Sequence, residues 1–134
     1  MTAEHDLTAL LQSMMPELRP GVFVFCTIAS NKDIPAALDP LLTFREQEGT
    51  TLVVPREDAE AAGLAYAFPS RLITLTVHSA LDAVGFLAAI TARLAAADIS
   101  VNAVSAFHHD HLFVPVDRAD EAMAILQEIS GNAS

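Results

Sequence analysis

The chain has little that would suit an extracellular or membrane protein. It contains one cysteine, Cys26, and no tryptophan among 134 residues. An internal disulfide is therefore excluded, and the single thiol is typical of a reducing cytosol. No apolar run is long and charge-free enough to cross a bilayer, because Arg93 interrupts the alanine-rich stretch 83–97. The first residues lack the basic start and apolar core of a signal peptide. We therefore expect a cytoplasmic protein.

Basic residues are also scarce. Lysine and arginine total 7 against 17 acidic residues, which gives a formal net charge of −10. Such a surface repels phosphate backbones and anionic lipids, so neither nucleic acid nor membrane is an expected partner. The chain has no Gly-rich phosphate loop, dinucleotide fingerprint or Ser-His-Asp or Cys-His nucleophile pair. We therefore expect no cofactor and no catalysis, with Cys26 an inert core thiol.

What is present is a globular pattern of strands and helices, with 52% hydrophobic and 18% charged residues. The predicted elements of the first half are a helix over 4–14, a strand over 22–28, paired strands over 43–48 and 50–54, a helix over 55–62 and a strand over 64–68. Those of the second half are strands over 72–77, 99–105 and 112–116, a helix over 80–97 and a last helix capped by Asp117. Pro69-Ser70 is the predicted linker between the halves.

The order of these elements predicts an α+β fold. Strand, helix, strand, strand, helix is the order of an antiparallel sheet with helices on one face. The first half repeats this order if residues 36–41 are a degenerate first helix. We therefore expect two split βαβ units: residues 1–69, with an extra N-terminal helix, and residues 70–134, lacking the last strand. The expected repeat is one of element order, because residue identity between the halves is too weak to see.

The strand over 72–77 runs directly into the most informative segment, the start of the following helix. Ser79 and Asp82 have the spacing of a capping box, which predicts a helix that begins at Ala80. Gly85 would then lie in the opening turns, at a cost of about 1 kcal/mol relative to alanine. Close approach of a ligand to the bare backbone would offset that cost. Because a helix N-terminus presents free N–H groups to anions, the segment predicts a small binding site without any sign of a reaction.

These residues also resemble a known family. Residues 74–85 resemble the first strand and ligand turn of an ACT domain, and residues 97–102 and 109–115 extend the similarity. Together with residues 44–52, the whole chain is similar to small bacterial tandem-ACT proteins. The resemblance implies two ferredoxin-like βαββαβ units with antiparallel sheets. It also implies a non-catalytic regulatory module that binds a small metabolite, with an amino acid favoured, at an ACT–ACT interface.

The resemblance implies a ligand site at the turn from His78 to Phe86. The ligand-binding residues carried over to this chain are Ser79, Asp82, Ala83, Val84, Gly85, Phe86 and, on the second strand, Asn102. In this arrangement Asp82 would meet the α-amino group of an amino acid, while backbone N–H groups take its carboxylate.

Two other functions remain open at this point. The first is an interaction module whose ACT units assemble with a partner and bind no ligand. The second is a metal protein or enzyme built on the run His108-His109-Asp110-His111. Since neighbouring side chains in a tight turn point apart, only two of these four groups could converge. We therefore expect no metal, and a turn in which the Asp110 side chain bonds its own backbone. Arg45, Glu46 and Glu48 are expected to decorate an exposed hairpin.

The missing last strand has a consequence for assembly. In a four-stranded sheet of this topology it leaves the edge beside residues 72–77 open, and exposed edges invite pairing. We expect the first half, the N-terminal helix or a second copy of the chain to cover that edge. Phe86 and Ile90 would supply apolar area for a mate, which favours a homodimer.

Overall fold

The computed structural model describes residues 6–77 and 81–132. The chain forms two compact units, which are named here by their place in the sequence. The terminal unit joins the chain up to Pro20 with the chain from Arg71 onward, and the central unit is Gly21–Ser70. The predicted division after residue 69 lies beside this boundary, but the N-terminal segment belongs to the same unit as the second half rather than to the first half.

The elements follow in this order: α1 (Leu7–Ser13), β1 (Met15–Leu18), β2 (Phe23–Ile28), β3 (Leu42–Arg45), β4 (Thr50–Pro55), α2 (Arg56–Ala61), β5 (Ala67–Thr76), α3 (Phe86–Ala96), β6 (Asn102–Ser105), β7 (Asp110–Pro115), a 3-10 turn (Val116–Arg118) and α4 (Ala119–Asn132). The linker predicted at Pro69-Ser70 is wrong, because both residues lie inside β5. The Ser70 hydroxyl donates to the Phe23 carbonyl 3.0 Å away, which fixes this stretch as a strand of the central unit.

The central unit has the strand order β3-β4-β2-β5, with antiparallel neighbours throughout. The β3–β4 hairpin predicted from Gly49 is confirmed. Residues 29–41 form turns instead of a helix, as two prolines in this stretch require. The core of the unit consists of Val24, Cys26, Leu38, Leu52, Val54 and Ala59. The described central unit is therefore ferredoxin-like, without a helix between its first two strands.

The terminal unit has the strand order β1-β5-β7-β6. Its fourth strand is β1, which pairs antiparallel with the end of β5, from Met15 opposite Thr76 to Leu18 opposite Ile73. Sequence analysis missed this strand and expected the second unit to lack one. Among the described residues of the second half no strand follows α4, and the N-terminal segment supplies the fourth strand. The open edge expected beside residues 72–77 is therefore covered from within the chain.

Helices α1, α3 and α4 pack together over the core of the terminal unit. Ile73, Leu75 and Val77 face this core, as their alternation predicted. The three buried positions of α3 form one stripe: Phe86, Ile90 and Leu94, with 3%, 0% and 0% of their surface exposed. The expectation that Phe86 and Ile90 offer area to a second copy is therefore wrong, since both are already buried against α1, α4 and the sheet.

The two units repeat each other at residue level, which sequence analysis did not see. In the β3–β4 hairpin Arg45 lies opposite Thr50, and in the β6–β7 hairpin Ser105 lies opposite Asp110, each 60 positions later. Both returning strands carry Leu-x-Val-Pro, at residues 52–55 and 112–115. Pro55 and Pro115 have nearly the same backbone angles, φ −56° and −54° with ψ 140° and 142°. The repeat was missed because this short signature stands between segments that share little else.

Candidate functional site

The turn before α3 differs from the predicted helix start. Residues 81–85 form a turn, and α3 begins at Phe86 with Gly85 as its N-cap. The prediction of a helix from Ala80 is therefore wrong for the described part of the segment; Ser79 and Ala80 themselves lie outside the described residues. Gly85 has φ +92°, a left-handed value that a continuing α-helix cannot contain. The helix consequently starts one residue after the glycine.

Gly85 is explained by its backbone rather than by crowding. A Cβ built at this position would meet only the Leu7 side chain, at an ordinary distance of 3.7 Å. The positive φ is the constraint, because glycine adopts it without the steric cost that a side chain brings. Since Gly85 has no side chain to cap the helix, the Ala89 N–H is the first to bond within α3, donating to the Gly85 carbonyl at 2.9 Å. The N–H groups of the first turn lie before that bond and therefore have no acceptor within the helix.

A small cavity lies beside this uncapped first turn. Its volume is about 70 Å³, and it is lined by Leu81, Ala83, Phe86, Leu87, Ser105, Ala106 and Asp110. One wall therefore comes from the turn and α3, and the other from the β6–β7 hairpin. Asp110 is 9% exposed, and its carboxylate accepts a hydrogen bond from the Ser105 hydroxyl. The expected bond from Asp110 to its own backbone is thus replaced by this bond to the opposing strand.

Only some of the predicted site residues meet at the cavity. Ala83 and Phe86 line it, whereas Asp82 is exposed and Val84 is 85% exposed. Asn102 lies on β6, opposite Phe113 and away from the cavity wall. Sequence analysis missed Ser105, Ala106 and Asp110. The unusually polar His-Asp-His run was the available signal, but it was interpreted as a turn.

Exposed apolar side chains flank the cavity. Leu81 on its rim is 69% exposed, and Val84 follows Ala83 in the same turn. On the opposite wall, Phe107 follows Ala106 and is 76% exposed. β6 pairs with β7 and, among the described residues, with no other strand. Exposed apolar side chains therefore follow lining residues in both the turn and the hairpin, and the hairpin includes an edge strand.

The histidines of the hairpin join β7 to β5. His109 Nδ1 lies 3.3 Å from the Val77 carbonyl, and His111 Nδ1 lies 3.1 Å from Thr74 Oγ1. Burial, and then the nearby His109, lower the pKa of His111 below its usual value. Within residues 6–77 and 81–132 no three His, Cys, Asp or Glu side chains are grouped so that they could hold a metal ion. The hairpin residues Arg45, Glu46 and Glu48 are exposed, as expected.

Cys26 is buried in β2, and burial raises the pKa of its thiol. The described helices include none with the length and apolar character needed to cross a bilayer.

Comparison with known proteins agrees with this architecture. One ACT-domain family model matches residues 2–71, and a second ACT-domain model matches residues 67–128. A crystal structure of VC0802 from Vibrio cholerae, described as a protein of unknown function and possible transport protein, is 46% identical with a TM-score of 0.84. The similarity covers 92% of this chain and 95% of that one. A search of curated proteins finds no match.

More distant structures share the fold alone. Protein Atu0741 from Agrobacterium tumefaciens is 17% identical over 87% of this chain and 89% of that one, with a TM-score of 0.75. The regulatory subunit of aspartate kinase from Thermus flavus is 10% identical over 85% of this chain and 95% of that one, with a TM-score of 0.60. Strand order, repeat and matched models together define a tandem pair of ACT domains. The chain belongs to the ACT-domain family.

Proposed function

We propose that the protein is a non-catalytic regulatory module that binds an amino acid at an interface between ACT units. Membership of the ACT-domain family supports a regulatory, ligand-binding role. The observation that carries the proposal is the cavity of the terminal unit, which combines a helix N-terminus preceded by Gly85, both apolar and polar lining residues, and a carboxylate. The described residues that line it include no histidine, cysteine or lysine, which favours binding over catalysis.

The carboxylate of the ligand would lie at the start of α3. Phe86 and Leu87 line the cavity and belong to the first helical turn, whose N–H groups point away from the helix. The partial positive charge at a helix N-terminus stabilises an anion there. Gly85, Ala83 and the exposed Asp82 and Val84 would border the ligand in this arrangement, with Ser79 on the preceding segment.

A second ACT unit is needed to enclose the ligand. Binding pockets for whole metabolites typically have volumes of about 300–1,000 Å³, far above that of this cavity. The exposed Leu81, Val84 and Phe107 supply an apolar rim that a second copy of the chain could cover. We therefore propose a homodimer in which the terminal units of two copies meet at this rim.

The regulated protein would be a separate chain. The Thermus flavus neighbour is itself described as a regulatory subunit of aspartate kinase. By analogy, this chain would respond to an amino acid and act on an enzyme or carrier that it contacts. The fold supplies that analogy and identifies no particular partner.

A melting-temperature screen against the twenty common amino acids tests the proposal. At least one L-amino acid should raise the melting temperature in proportion to its concentration, and its D-enantiomer should not. The interface is tested with Phe107→Ser, which should weaken both the ligand-induced shift and dimerisation measured by light scattering. Phe44→Ser is the matched control, because Phe44 is 64% exposed but lies in the central unit. If no amino acid raises the melting temperature, the ligand-free interaction module becomes the better interpretation.

A further inference from the structure

We propose that Asp110 binds the ammonium group of the ligand and thereby restricts the cavity of the terminal unit to primary amines. The inference rests on the proposed function for its claim that the natural amine is an amino acid. It assigns to Asp110 a role that the sequence and the family resemblance gave to Asp82.

The charges in the cavity point to a cation. Of the seven described residues that line it, Asp110 carries the charged side chain, Ser105 is polar, and the other five are apolar. The Ser105 hydroxyl donates to Oδ1 of Asp110, which holds the carboxylate in place and leaves it an acceptor for a further donor. A largely buried carboxylate is stabilised by a cation that also donates hydrogen bonds.

The size of the cavity selects the end of a ligand. A volume of about 70 Å³ is well below that of a pocket that encloses a whole metabolite, so only one end of a ligand enters it. The remainder of an amino acid would extend past Phe86 toward the rim. Because Asp110 and the first turn of α3 both line the cavity, each charge of the zwitterion would meet a charge of the other sign.

The carboxylate is not needed to form the hairpin. The β3–β4 hairpin has the same register as β6–β7, and Thr50 occupies the place of Asp110 there, opposite Arg45 instead of Ser105. The central unit therefore builds this hairpin without an acidic residue at that position. In the terminal unit the acidic side chain is 9% exposed and accepts from Ser105, and ligand binding gives its charge a role that the hairpin does not require.

Asp82 offers a matched comparison. It is a carboxylate on the neighbouring turn, but it is exposed and does not line the cavity. An exposed carboxylate binds a cation weakly, since water competes for both partners. Comparing substitutions of the two aspartates therefore distinguishes binding at the cavity from the general attraction of cations to an acidic surface.

The experiment uses ethylammonium chloride as the probe and ethanol as its neutral counterpart. Amide signals of the full, 15N-labelled chain are followed at constant ionic strength. Ethylammonium should shift the signals of residues 81–87 and 105–110 saturably, and ethanol at the same concentration should not. Asp110→Asn should raise the dissociation constant about tenfold or more, while Asp82→Asn should leave it within about twofold.

A second variant guards against misfolding of Asp110→Asn. Ala106→Lys, on the exposed hairpin that lines the cavity, offers Asp110 a tethered ammonium group and should abolish ethylammonium binding, whereas Ala106→Gln should not. Equal shifts by ethanol and ethylammonium, or unchanged binding in folded Asp110→Asn, would overturn the inference. If an amino acid binds with equal affinity to wild type and Asp110→Asn, the inference fails and the proposed function stands. If Asp110-dependent amine binding occurs and no amino acid binds, the inference holds and the proposed function fails.

Discussion

Pro16 on β1 lies directly opposite Leu75 on β5, although 59 positions separate them in the sequence. The pairing places a proline on an outer strand of the terminal sheet, where its missing N–H costs least. Through this pairing the N-terminal segment completes the ferredoxin-like sheet of the second half. The terminal unit therefore depends on both ends of the chain.

The first prediction tests that dependence at the N-terminal helix. Leu10 on α1 is fully buried in the terminal core. Leu10→Ala should lower the free energy of unfolding by about 2–5 kcal/mol, because it leaves a cavity in the core. The control is Leu7→Ala on the same helix, where the side chain is 37% exposed and the loss should stay below about 1 kcal/mol. Urea unfolding measures both, and equal losses would show that α1 does not contribute to the core.

The second prediction concerns the conformation of Gly85. Its φ of +92° makes any side chain costly, so Gly85→Ala should destabilise the protein by about 1–2 kcal/mol without any ligand present. Gly85→Asn should cost less, since asparagine tolerates left-handed backbone better. Thermal unfolding of the ligand-free variants measures the order Gly, Asn, Ala.

The third prediction concerns pH. Burial lowers the pKa of His111 in the folded protein below 6.5, the value for an unperturbed side chain. The unfolded chain therefore binds the proton more readily, and stability falls as the pH is lowered below about 6.5. Above that pH the side chain is neutral in both states, so the stability is not reduced by protonation of His111.

The pH dependence is isolated by comparing two histidine variants. His111→Gln should lose stability less steeply than wild type between pH 7 and pH 5, because the titrating group is gone. His108→Gln, at an exposed position of the same hairpin, should follow the wild-type curve. Urea midpoints across this range provide the measurement. Parallel curves for wild type and His111→Gln would contradict the prediction.

The fourth prediction concerns the single thiol. Cys26 is 5% exposed in the core of the central unit, and burial raises the pKa of its thiol. A thiol reagent should therefore modify the native protein on the order of 100-fold more slowly than the urea-unfolded chain, because only the opened state reacts. Rapid modification of the native protein would show that β2 is exposed more often than its burial indicates.

The sequence determined the features that depend on near neighbours. Alternation identified the inward face of β5, and Gly49 marked the β3–β4 hairpin. Pro55, predicted as the first helical residue, is the N-cap directly before α2. The order of elements then indicated the antiparallel α+β class, and the resemblance identified the ACT family. These patterns can be interpreted from the sequence because they reflect backbone geometry and the burial of one face, both of which depend on near neighbours.

Tertiary structure decided the rest. β1 is four residues long and contains Pro16, so it has no readable strand pattern; only the free edge of β5 makes it a strand. The start of α3 depends on the left-handed backbone at Gly85, which the capping-box spacing at Ser79 and Asp82 did not show. Asp110 joins the cavity because the β6–β7 hairpin folds beside the first turn of α3. Pairing between distant segments is set by which edges and faces remain unsatisfied, and that is a property of the folded chain.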